Sequence, residues 1–270
     1  MKVFRKSIVF IVSIAVLCAV SNTAFANRLE DVLKAGKLTI CTSPNFAPYE
    51  FLDNTREGQD RFRGADMQLI RYIAKELGVE LEIFPLDFSA VMAAITNGKI
   101  DLGISGLSYT PVRARTMELS EPYKKGDEEG IIVRKEDAEK FKSFDDFEGA
   151  KVGANSGTLQ DQLVTQQLPK AEKHLFDNVA NAVLAVSAGK IDAAAVAVPN
   201  GEMFMKTDPT LYVLPLRFHQ AKSGYVVIAQ KGETELIARV NEIIKDVLDK
   251  GIYDEWLKEA QAEVAKLNDR

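Results

Sequence analysis

Cysteine and histidine are scarce in this chain, and their scarcity leaves little room for a metal centre. The 270 residues contain two cysteines and two histidines. His174 and His219 stand far from each other and from either cysteine, so no spacing typical of metal ligands occurs. The Gly-x-Ser-x-Gly, P-loop and Gly-x-Gly-x-x-Gly motifs are missing too. The sequence therefore predicts neither a bound metal nor any other cofactor.

Long apolar runs are also missing, apart from one near the N-terminus. Ile8–Val20 is apolar but too short to span a bilayer comfortably. It is followed by the small-x-small sequence Ala24-Phe25-Ala26 and preceded by a basic head made of Lys2, Arg5 and Lys6. This order of segments is typical of a secretory signal peptide, and we predict cleavage after Ala26.

The mature chain that this cleavage would leave is long enough for one large domain or two of medium size, at 270 minus 26, or 244 residues. Loss of the three basic residues takes the net charge from −5 to −8 and leaves Cys41 as the sole cysteine, so no internal disulfide can form. An acidic exported chain is a poor partner for nucleic acid or an anionic membrane, and we expect neither partner.

The segment Leu102–Tyr123 carries the pattern of a small-anion site. Leu102–Ile104 is a short apolar run typical of a buried strand, and small polar residues follow it. Thr110 is placed to cap a helix, and Pro111 suits the first helical position. Arg113 would add a fork of donors matched to a carboxylate. Ligands bind beyond the carboxyl ends of strands in open α/β sheets, which favours an anion site over a surface helix with solvated arginines.

A second turn of the same design follows in the C-terminal half. Lys151–Ala154 predicts a strand that runs into Asn155-Ser156-Gly157-Thr158 at the start of another helix, although by itself this would be an ordinary capped helix. Ile95–Asp101 and Val186–Asp192, which read ITNGKID and VSAGKID, repeat one arrangement of helix end, glycine stop and strand start. Two such units about 90 residues apart predict two similarly built lobes with a ligand cleft between them.

Prolines and apolar spacing predict several further elements. Pro44 and Pro48 predict that Ser43–Phe51 is a loop displaying aromatic side chains, because proline cannot join a central strand. Apolar residues at helical spacing predict the helices Ala65–Leu77, Asp87–Thr96, Asn178–Ala188, Thr234–Leu248 and Tyr253–Leu267.

Together these segments resemble family 3 of the periplasmic solute-binding proteins, the polar amino-acid receptors of ABC importers. The resemblance covers nearly all of the mature chain and is carried by six motifs in order: SPNFAPYEF, NGKIDLGISGLSYTPVRA, SEPY, KVGANSGTLQ, FDNVANAV and DKGIYDEWL. It implies an α/β fold of two lobes, the type II periplasmic binding protein, with the ligand cleft between lobes joined by a two-segment hinge. It also implies a monomeric periplasmic receptor that docks on an ABC transporter permease in the inner membrane and is not an enzyme.

The resemblance further implies how the chain is divided. Lobe one would comprise residues 27–123 and 219–270, and lobe two residues 125–218. The chain would cross between the lobes near Tyr123–Gly126 and Leu216–Lys222. A few residues at these crossings would absorb the rotation when the lobes close on a ligand.

Seven residues acquire binding roles from the resemblance. Arg113 would grip the ligand's carboxylate, and Thr158 would complete that grip from lobe two. Two serines would present a carbonyl and a hydroxyl, two phenylalanines would sandwich the ligand's side chain, and a glutamine would reach its polar end. The predicted substrate-binding residues are therefore Phe46, Phe88, Ser105, Ser108, Arg113, Thr158 and Gln160.

Two positions depart from the family pattern and bear on the ligand. Ala197 stands where the family usually has an aspartate that pairs with the α-ammonium, and Ser43 stands where receptors for basic amino acids often have another. A buried ammonium without a partner is unfavourable. We therefore expect a neutral or acidic amino acid or derivative first, a carboxylate without an amine second, and a basic amino acid last. Glu202 is either a replacement partner or a solvated helix residue.

An enzyme on the same fold is the main alternative from another functional class. Cyclohexadienyl dehydratases of this fold use a carboxylic acid in the cleft to protonate a leaving hydroxyl. That acid would fall at Asn200, and an amide cannot donate a proton in this way. An extracellular sensor domain is a third interpretation.

Overall fold

The structure of the protein is a computed structural model that describes residues 27–220 and 224–268. The predicted signal peptide, residues 1–26, lies outside the described residues, as do residues 221–223 near the second predicted crossing. Within the described ranges, no helix is both long enough and apolar enough to cross a membrane.

The helices alternate with strands along most of the chain. Short 3-10 turns cover Gly58–Arg61, Lys135–Lys140 and Phe144–Phe147. The α-helices are α1 Arg28–Ala35, α2 Ala65–Leu77, α3 Phe88–Thr96, α4 Pro111–Thr116, α5 Leu159–Gln167, α6 Val179–Ser187, α7 Val198–Thr207, α8 Thr234–Asp249 and α9 Ile252–Asn268.

The strands are short, with the longest at seven residues. They are β1 Lys37–Thr42, β2 Asn45–Phe46, β3 Glu50–Leu52, β4 Phe62–Arg63, β5 Glu80–Pro85, β6 Leu102–Gly103, β7 Met117–Leu119, β8 Lys124–Lys125, β9 Glu129–Arg134, β10 Lys151–Asn155, β11 Glu172–Phe176, β12 Ala193–Ala197, β13 Leu211–Arg217, β14 Gly224–Tyr225 and β15 Ile228–Gln230.

Two five-stranded sheets share one layout. The first has the order β5-β1-β6-β15-β7 and the second the order β11-β10-β12-β9-β13. In each sheet the first three strands are parallel, and the last two run antiparallel to their neighbours. β6 leads towards α4 and β10 leads into α5, so both small-residue turns follow the carboxyl ends of parallel strands. The predicted α/β architecture built on two similar sheets is observed.

The first sheet takes one of its inner strands from the last part of the chain. β15 lies between β6 and β7, with Ile228 opposite both Gly103 and Leu119. β14 pairs with β8 beside it, where Tyr225 faces Lys124. The lobe boundaries remain a prediction, but the sheet itself joins segments more than a hundred residues apart.

Both faces of each main sheet are buried. On the first sheet, one face packs with α2 and α8 through residues such as Ile73 and Val240, and the other packs with α3 through Val91. On the second sheet, Val164 of α5 and Val183 of α6 belong to the cores on its two sides. This double burial explains why the parallel strands are apolar runs in sequence rather than alternating ones.

The amphipathic helices are confirmed close to their predicted bounds. α2 spans the predicted Ala65–Leu77 and ends at Gly78, which has φ 70° in the left-handed region that favours glycine. α3 begins one residue after the predicted start because Asp87 is its cap position.

The prediction that Ser43–Phe51 forms a loop was wrong in part. β2 and β3 pair antiparallel, with Asn45 opposite Phe51 and Phe46 opposite Glu50, and β4 extends this small sheet. Pro48 lies in the turn between the two strands, where no ladder hydrogen bond is required of it. Proline therefore excluded a central strand but not a hairpin.

Two helices were given no bounds from the sequence, although a helix around Glu202 was one interpretation of that residue. α1 is only eight residues long and is capped by Asn27, whose side chain accepts from the backbone N–H of Leu29 at 3.2 Å. α7 begins directly at the end of β12, and its Pro199 lies in the first turn, where a missing N–H is tolerated. The continuous apolar run across this junction hid the change from strand to helix.

Candidate functional site

A cavity lies between the two sheets and is bounded by both small-residue turns. It encloses about 550 Å³ of space free of protein atoms, part of it open to solvent. That volume is in the range of small-molecule sites, roughly 300–1,000 Å³. All seven predicted binding residues line it, together with Ser43, Asn45, Glu50, Gly106, Glu129, Asn155, Leu159, Val179, Ala195, Ala197 and Tyr225.

Arg113 reaches this cavity from the third position of α4 and is only 4% exposed. Its Nη1 donates to the carbonyl of Ser108 at 2.6 Å, and its Nη2 donates to the carbonyl of Gly157 at 3.2 Å. The guanidinium carbon lies 5.4 Å from the centre of the Phe88 ring. Burial lowers the pKa of Arg113 to about 10, so it keeps its charge at neutral pH. These bonds engage two of its five N–H groups.

The helix that carries Arg113 is short. α4 has six residues, and the N–H of Arg113 is already bonded to the Thr110 hydroxyl at 3.2 Å. The predicted cap is therefore confirmed, but such a short helix contributes little dipole. The anion-binding capacity of this turn resides in the arginine side chain.

The second turn meets the first across the cavity. Thr158 caps α5 by accepting from the N–H of Asp161 at 3.3 Å, and its own hydroxyl donates to the carbonyl of Asn155 at 2.6 Å. Gly157, one residue earlier, has φ 76° and offers its carbonyl to Arg113. The arginine thus links the turn of one sheet to the turn of the other.

The two phenylalanines lie on different elements that pack against the cores of the first sheet. Phe46 is on β2 and packs over Gly106, where an added Cβ would come within 2.6 Å of its ring. Phe88 opens α3 and faces Arg113. Glycine at position 106 therefore lets the turn pass close beneath the first ring.

The two serines of the first turn are both buried. The carbonyl of Ser108 is bonded to Arg113, so it serves to orient the guanidinium. Ser105 Oγ accepts from the N–H of Ser43 at 3.0 Å and donates to Glu50 Oε1 at 2.9 Å. The predicted role of each serine against a ligand stays a prediction, but both lie on the cavity wall.

Glu129 is a cavity residue that the sequence analysis missed. It opens β9, is 2% exposed, and its Oε2 accepts from Gln160 Nε2 at 2.7 Å. Burial raises the pKa of the Glu129 carboxyl to about 8. Glu129 lies directly opposite Ala197 in the antiparallel pair of β9 and β12. Only this register, which the sequence does not show, reveals the two positions as neighbours.

Glu50 is the second missed cavity residue. It opens β3 and is fully buried. Burial, and then the nearby charge of Asp66, hold the pKa of the Glu50 carboxyl well above its usual range. Its position inside the SPNFAPYEF motif was a signal, because a glutamate among aromatic residues of a first-strand loop is a candidate for burial.

The remaining candidates from the sequence lie outside the cavity wall. Glu202 is exposed on α7, in agreement with a solvated helix residue. Asn200 is buried, and its Nδ2 donates to the carbonyl of Ala47 at 3.5 Å. His174 contacts Glu172 at 2.9 Å near the surface. In the described part of the chain, no group of three or more potential ligands is arranged to hold a metal ion.

Comparisons with known proteins agree with this geometry. The model of the bacterial extracellular solute-binding proteins, family 3, matches residues 38–260. The chain is 26% identical over 224 residues to the arginine-binding extracellular protein ArtP of Bacillus subtilis, covering 82% of this chain and 85% of that protein. It is also 26% identical over 253 residues to the L-cystine-binding protein TcyJ of Escherichia coli, covering 92% and 91%.

A solved structure shows the same two-lobed fold. An amino acid ABC transporter substrate-binding protein from Streptococcus pneumoniae, bound to L-arginine, superposes with a TM-score of 0.80 and 32% identity, covering 87% of this chain and 98% of that one. These relatives are binding proteins rather than enzymes, as the sequence predicted. The matched model, the shared fold and the cavity between two sheets together show that this chain belongs to family 3 of the bacterial extracellular solute-binding proteins.

Proposed function

We propose that this protein delivers an amino acid to an ABC transporter permease, holding the ligand's α-carboxylate on Arg113 and its α-ammonium on Glu129. The buried state of Arg113 carries the proposal. Among the described residues, no carboxylate forms an ion pair with this guanidinium, whose protein partners are two carbonyls. A buried charge without an opposite charge is unfavourable, and a ligand carboxylate would supply the missing one.

Glu129 is proposed as the substitute for the aspartate missing at Ala197. Residues directly opposite in an antiparallel pair place their side chains on the same face, so a carboxyl on β9 can serve the space beside Ala197. Gln160 orients this carboxyl through its amide. The predicted role of Gln160 thus changes from direct contact with the ligand's polar end to support of the group that binds the ammonium.

These two contacts serve neutral, acidic and basic amino acids alike, because neither involves the ligand's side chain. The first rank given to neutral and acidic ligands therefore stays a prediction. A carboxylate without an amine is the second candidate, favoured by the burial of Glu129: burial raises the pKa of this carboxyl to about 8, and the neutral form that this favours does not require a cation opposite it.

A thermal-shift screen that pairs each amino acid with its deaminated analogue tests the proposal. We expect one or more amino acids to raise the melting temperature, since a ligand that binds only the folded state stabilises it. The deaminated partner should raise it less. Calorimetry on each hit then gives the affinity. Tighter binding of a deaminated partner would establish the second candidate instead, and no shift with any amino acid would remove the proposal.

Closure of the two lobes as a monomer in the periplasm completes the proposal. Arg113 to Gly157 and Asn200 to Ala47 are contacts across the cleft that an open form would lose. We expect the radius of gyration from small-angle scattering to decrease when a tight ligand is added. An unchanged radius with a saturating ligand would contradict closure but not binding.

A further inference from the structure

A cluster of polar and aromatic side chains surrounds the first connection between the two sheets, which runs from β8 to β9. In this connection, Asp127 Oδ2 accepts from the hydroxyls of Tyr49 at 2.7 Å and Tyr225 at 2.8 Å. Asp127 Oδ1 accepts from Lys124 Nζ at 2.8 Å. These four residues, Tyr49, Lys124, Asp127 and Tyr225, form what we call the Asp127 cluster.

The Asp127 cluster is compact and largely shielded from water. The Lys124 ammonium lies 5.2 Å from the centre of the Tyr49 ring and 5.1 Å from the centre of the Tyr225 ring. The side chains of Lys124 and Asp127 are only 17% and 10% exposed. Burial, and then the charge of Asp127, raise the pKa of the Tyr49 hydroxyl, so this hydroxyl remains a donor. Such shielding makes each contact stronger than it would be at an open surface.

The cluster joins the core of the first sheet to the edge of the second. Tyr49 and Tyr225 both belong to the buried core of the first sheet. Asp127 is followed directly by Glu128, whose carbonyl accepts from the N–H of Val198 at 2.8 Å, at the junction of β12 and α7. The chain is therefore held by the second sheet from the residue after Asp127 onward, while the Asp127 side chain is held by the first.

The second connection between the sheets meets the first at the same residue. Gln220, which lies between β13 and β14, donates from Nε2 to the carbonyl of Asp127 at 2.9 Å. A rotation of one sheet relative to the other must be absorbed by backbone dihedrals in these two connections. The contacts of Asp127 therefore depend directly on the angle between the sheets.

Tyr49 can be altered without removing a wall of the ligand cavity. Tyr225 and Phe46 line the cavity, whereas Tyr49 is not among the described lining residues. The Tyr49 ring lies behind them, with its centre 5.1 Å from that of Phe46 and 5.2 Å from that of Tyr225. A substitution of the Tyr49 hydroxyl thus tests the cluster separately from direct contact with a ligand.

We propose that the Asp127 cluster is a latch that favours the closed arrangement of the two sheets whether or not a ligand is bound. This inference rests on the closure included in the proposed function, but not on the identity of the ligand. Opening would turn β9, and Asp127 with it, away from Tyr49 and Tyr225. Because only the closed form keeps these hydrogen bonds, their free energy adds to that of the ligand in opposing opening.

Small-angle scattering of the ligand-free protein tests the latch with a matched pair of substitutions. Tyr49→Phe removes one hydrogen bond to Asp127, and we expect a larger radius of gyration than in the wild type. Tyr72→Phe removes the bond from Tyr72 to Asp246 at 3.0 Å, which joins α2 to α8 beside the first sheet. Tyr72→Phe should lower the free energy of unfolding through the same chemistry but leave the radius unchanged.

The rate of ligand dissociation gives a second readout. The probe is whichever of L-arginine, L-cystine and L-glutamate binds the wild-type protein most tightly, and stopped-flow displacement measures its release. Tyr49→Phe should release it on the order of 3- to 30-fold faster, because a hydrogen bond to a charged group no longer opposes opening. Asp127→Asn should change the rate in the same direction. Once Asp127→Ala has removed the acceptor, adding Tyr49→Phe should have no further effect.

The outcomes separate the latch from the proposed function. Equal radii of the ligand-free wild type and Tyr49→Phe would overturn the latch, as would a radius that grows equally in Tyr72→Phe. A dissociation rate that is the same in Tyr49→Phe and Tyr72→Phe would also overturn it, and amino-acid binding would stand. If no amino acid binds, the proposed function falls, and the comparison of ligand-free radii still decides whether the latch exists.

Discussion

The two strand-to-helix turns have nearly the same capping chemistry but contribute different things to the cavity. Thr110 caps α4 through the N–H of Arg113, and Thr158 caps α5 through the N–H of Asp161. The third helical residue is thus an arginine in one turn and an aspartate in the other. Arg113 turns into the cavity, whereas Asp161 accepts from the N–H of Gly157 at 3.1 Å and pairs with Lys173 at 2.6 Å.

This difference shows that equal local geometry does not give equal binding capacity. In the second turn, Asp161 accepts from an N–H group at the start of its own helix instead of facing the cavity. The turn therefore presents the carbonyl of Gly157 and the hydroxyl of Thr158 to the cavity region, and no charged group. The second sheet supplies an ionisable group instead, through Glu129 on β9. The ionisable group that faces the cavity is therefore placed by a local motif in the first turn and by strand pairing in the second sheet.

Removing the charge of Arg113, in the first turn, should weaken ligand binding more than any other substitution considered. Arg113→Ala should weaken binding of the amino acid with the highest affinity in the screen by about 2–5 kcal/mol, because a desolvated charged pair is lost. That corresponds to roughly 30- to 4,000-fold in Kd. Arg113→Lys should restore only part of this, because an ammonium lacks the planar fork. Calorimetry provides the measurement.

Arg115→Ala is the matched control for that experiment. Arg115 lies on the same helix, is exposed, and among the described residues donates to the carbonyl of Pro111 alone, at 3.3 Å. Its loss should change Kd little. If Arg115→Ala weakened binding more than Arg113→Ala, the anchor would have been assigned to the wrong arginine.

The Glu129 carboxyl in the second sheet should make ligand binding depend on pH. Glu129 is mostly protonated below pH 8, so an ammonium that binds its ionised form must displace a proton. The logarithm of the association constant should rise with pH between about 6 and 8, with a slope approaching one. Glu129→Gln should bind more weakly and flatten this slope, and calorimetry in a series of buffers measures both.

The Glu129 carboxyl should also make the free energy of unfolding of the ligand-free protein depend on pH. Its pKa is raised on folding, so the unfolded chain loses its proton near pH 4.5 while the folded chain keeps it to about 8. The free energy of unfolding should therefore decrease as pH rises through this interval. Denaturant titrations should show a smaller decrease in Glu129→Gln, whereas Glu136→Gln, at an exposed site, should behave as wild type.

The caps of the two turns should show the smallest effects. Thr110→Ala and Thr158→Ala should each lower the free energy of unfolding by about 1 kcal/mol, measured by denaturant titration. Thr158→Ala should also weaken ligand binding by about 1 kcal/mol, because its hydroxyl lies on the cavity wall. Thr158→Ser retains the hydroxyl and should reverse both losses. If Thr158→Ala left the ligand affinity unchanged, the Thr158 hydroxyl would serve only to cap α5 and would not contribute to binding.

The parts of the site that could be predicted lie within single segments. Thr110, Pro111 and Arg113 are close in sequence, so capping rules place them without knowledge of the fold. Glu50 and Glu129 could not be placed in this way. Glu50 meets Ser105 across 55 residues, and Glu129 meets Ala197 through a strand register. The sequence shows that the aspartates common in the family are replaced at Ser43 and Ala197. Only the structure shows that the carboxyl groups of Glu50 and Glu129 also line the cavity.

The position of β15 sets the order in which the molecule can be completed during synthesis and export. All strands of the second sheet come from one continuous stretch, Glu129–Arg217, whereas the first sheet needs Ile228–Gln230 between two strands made more than a hundred residues earlier. A chain that emerges N-terminus first can therefore finish its second sheet before its first. The cavity needs walls from both sheets, so a chain cut short before residue 228 would lack an inner strand of the first sheet and with it one complete wall of the cavity.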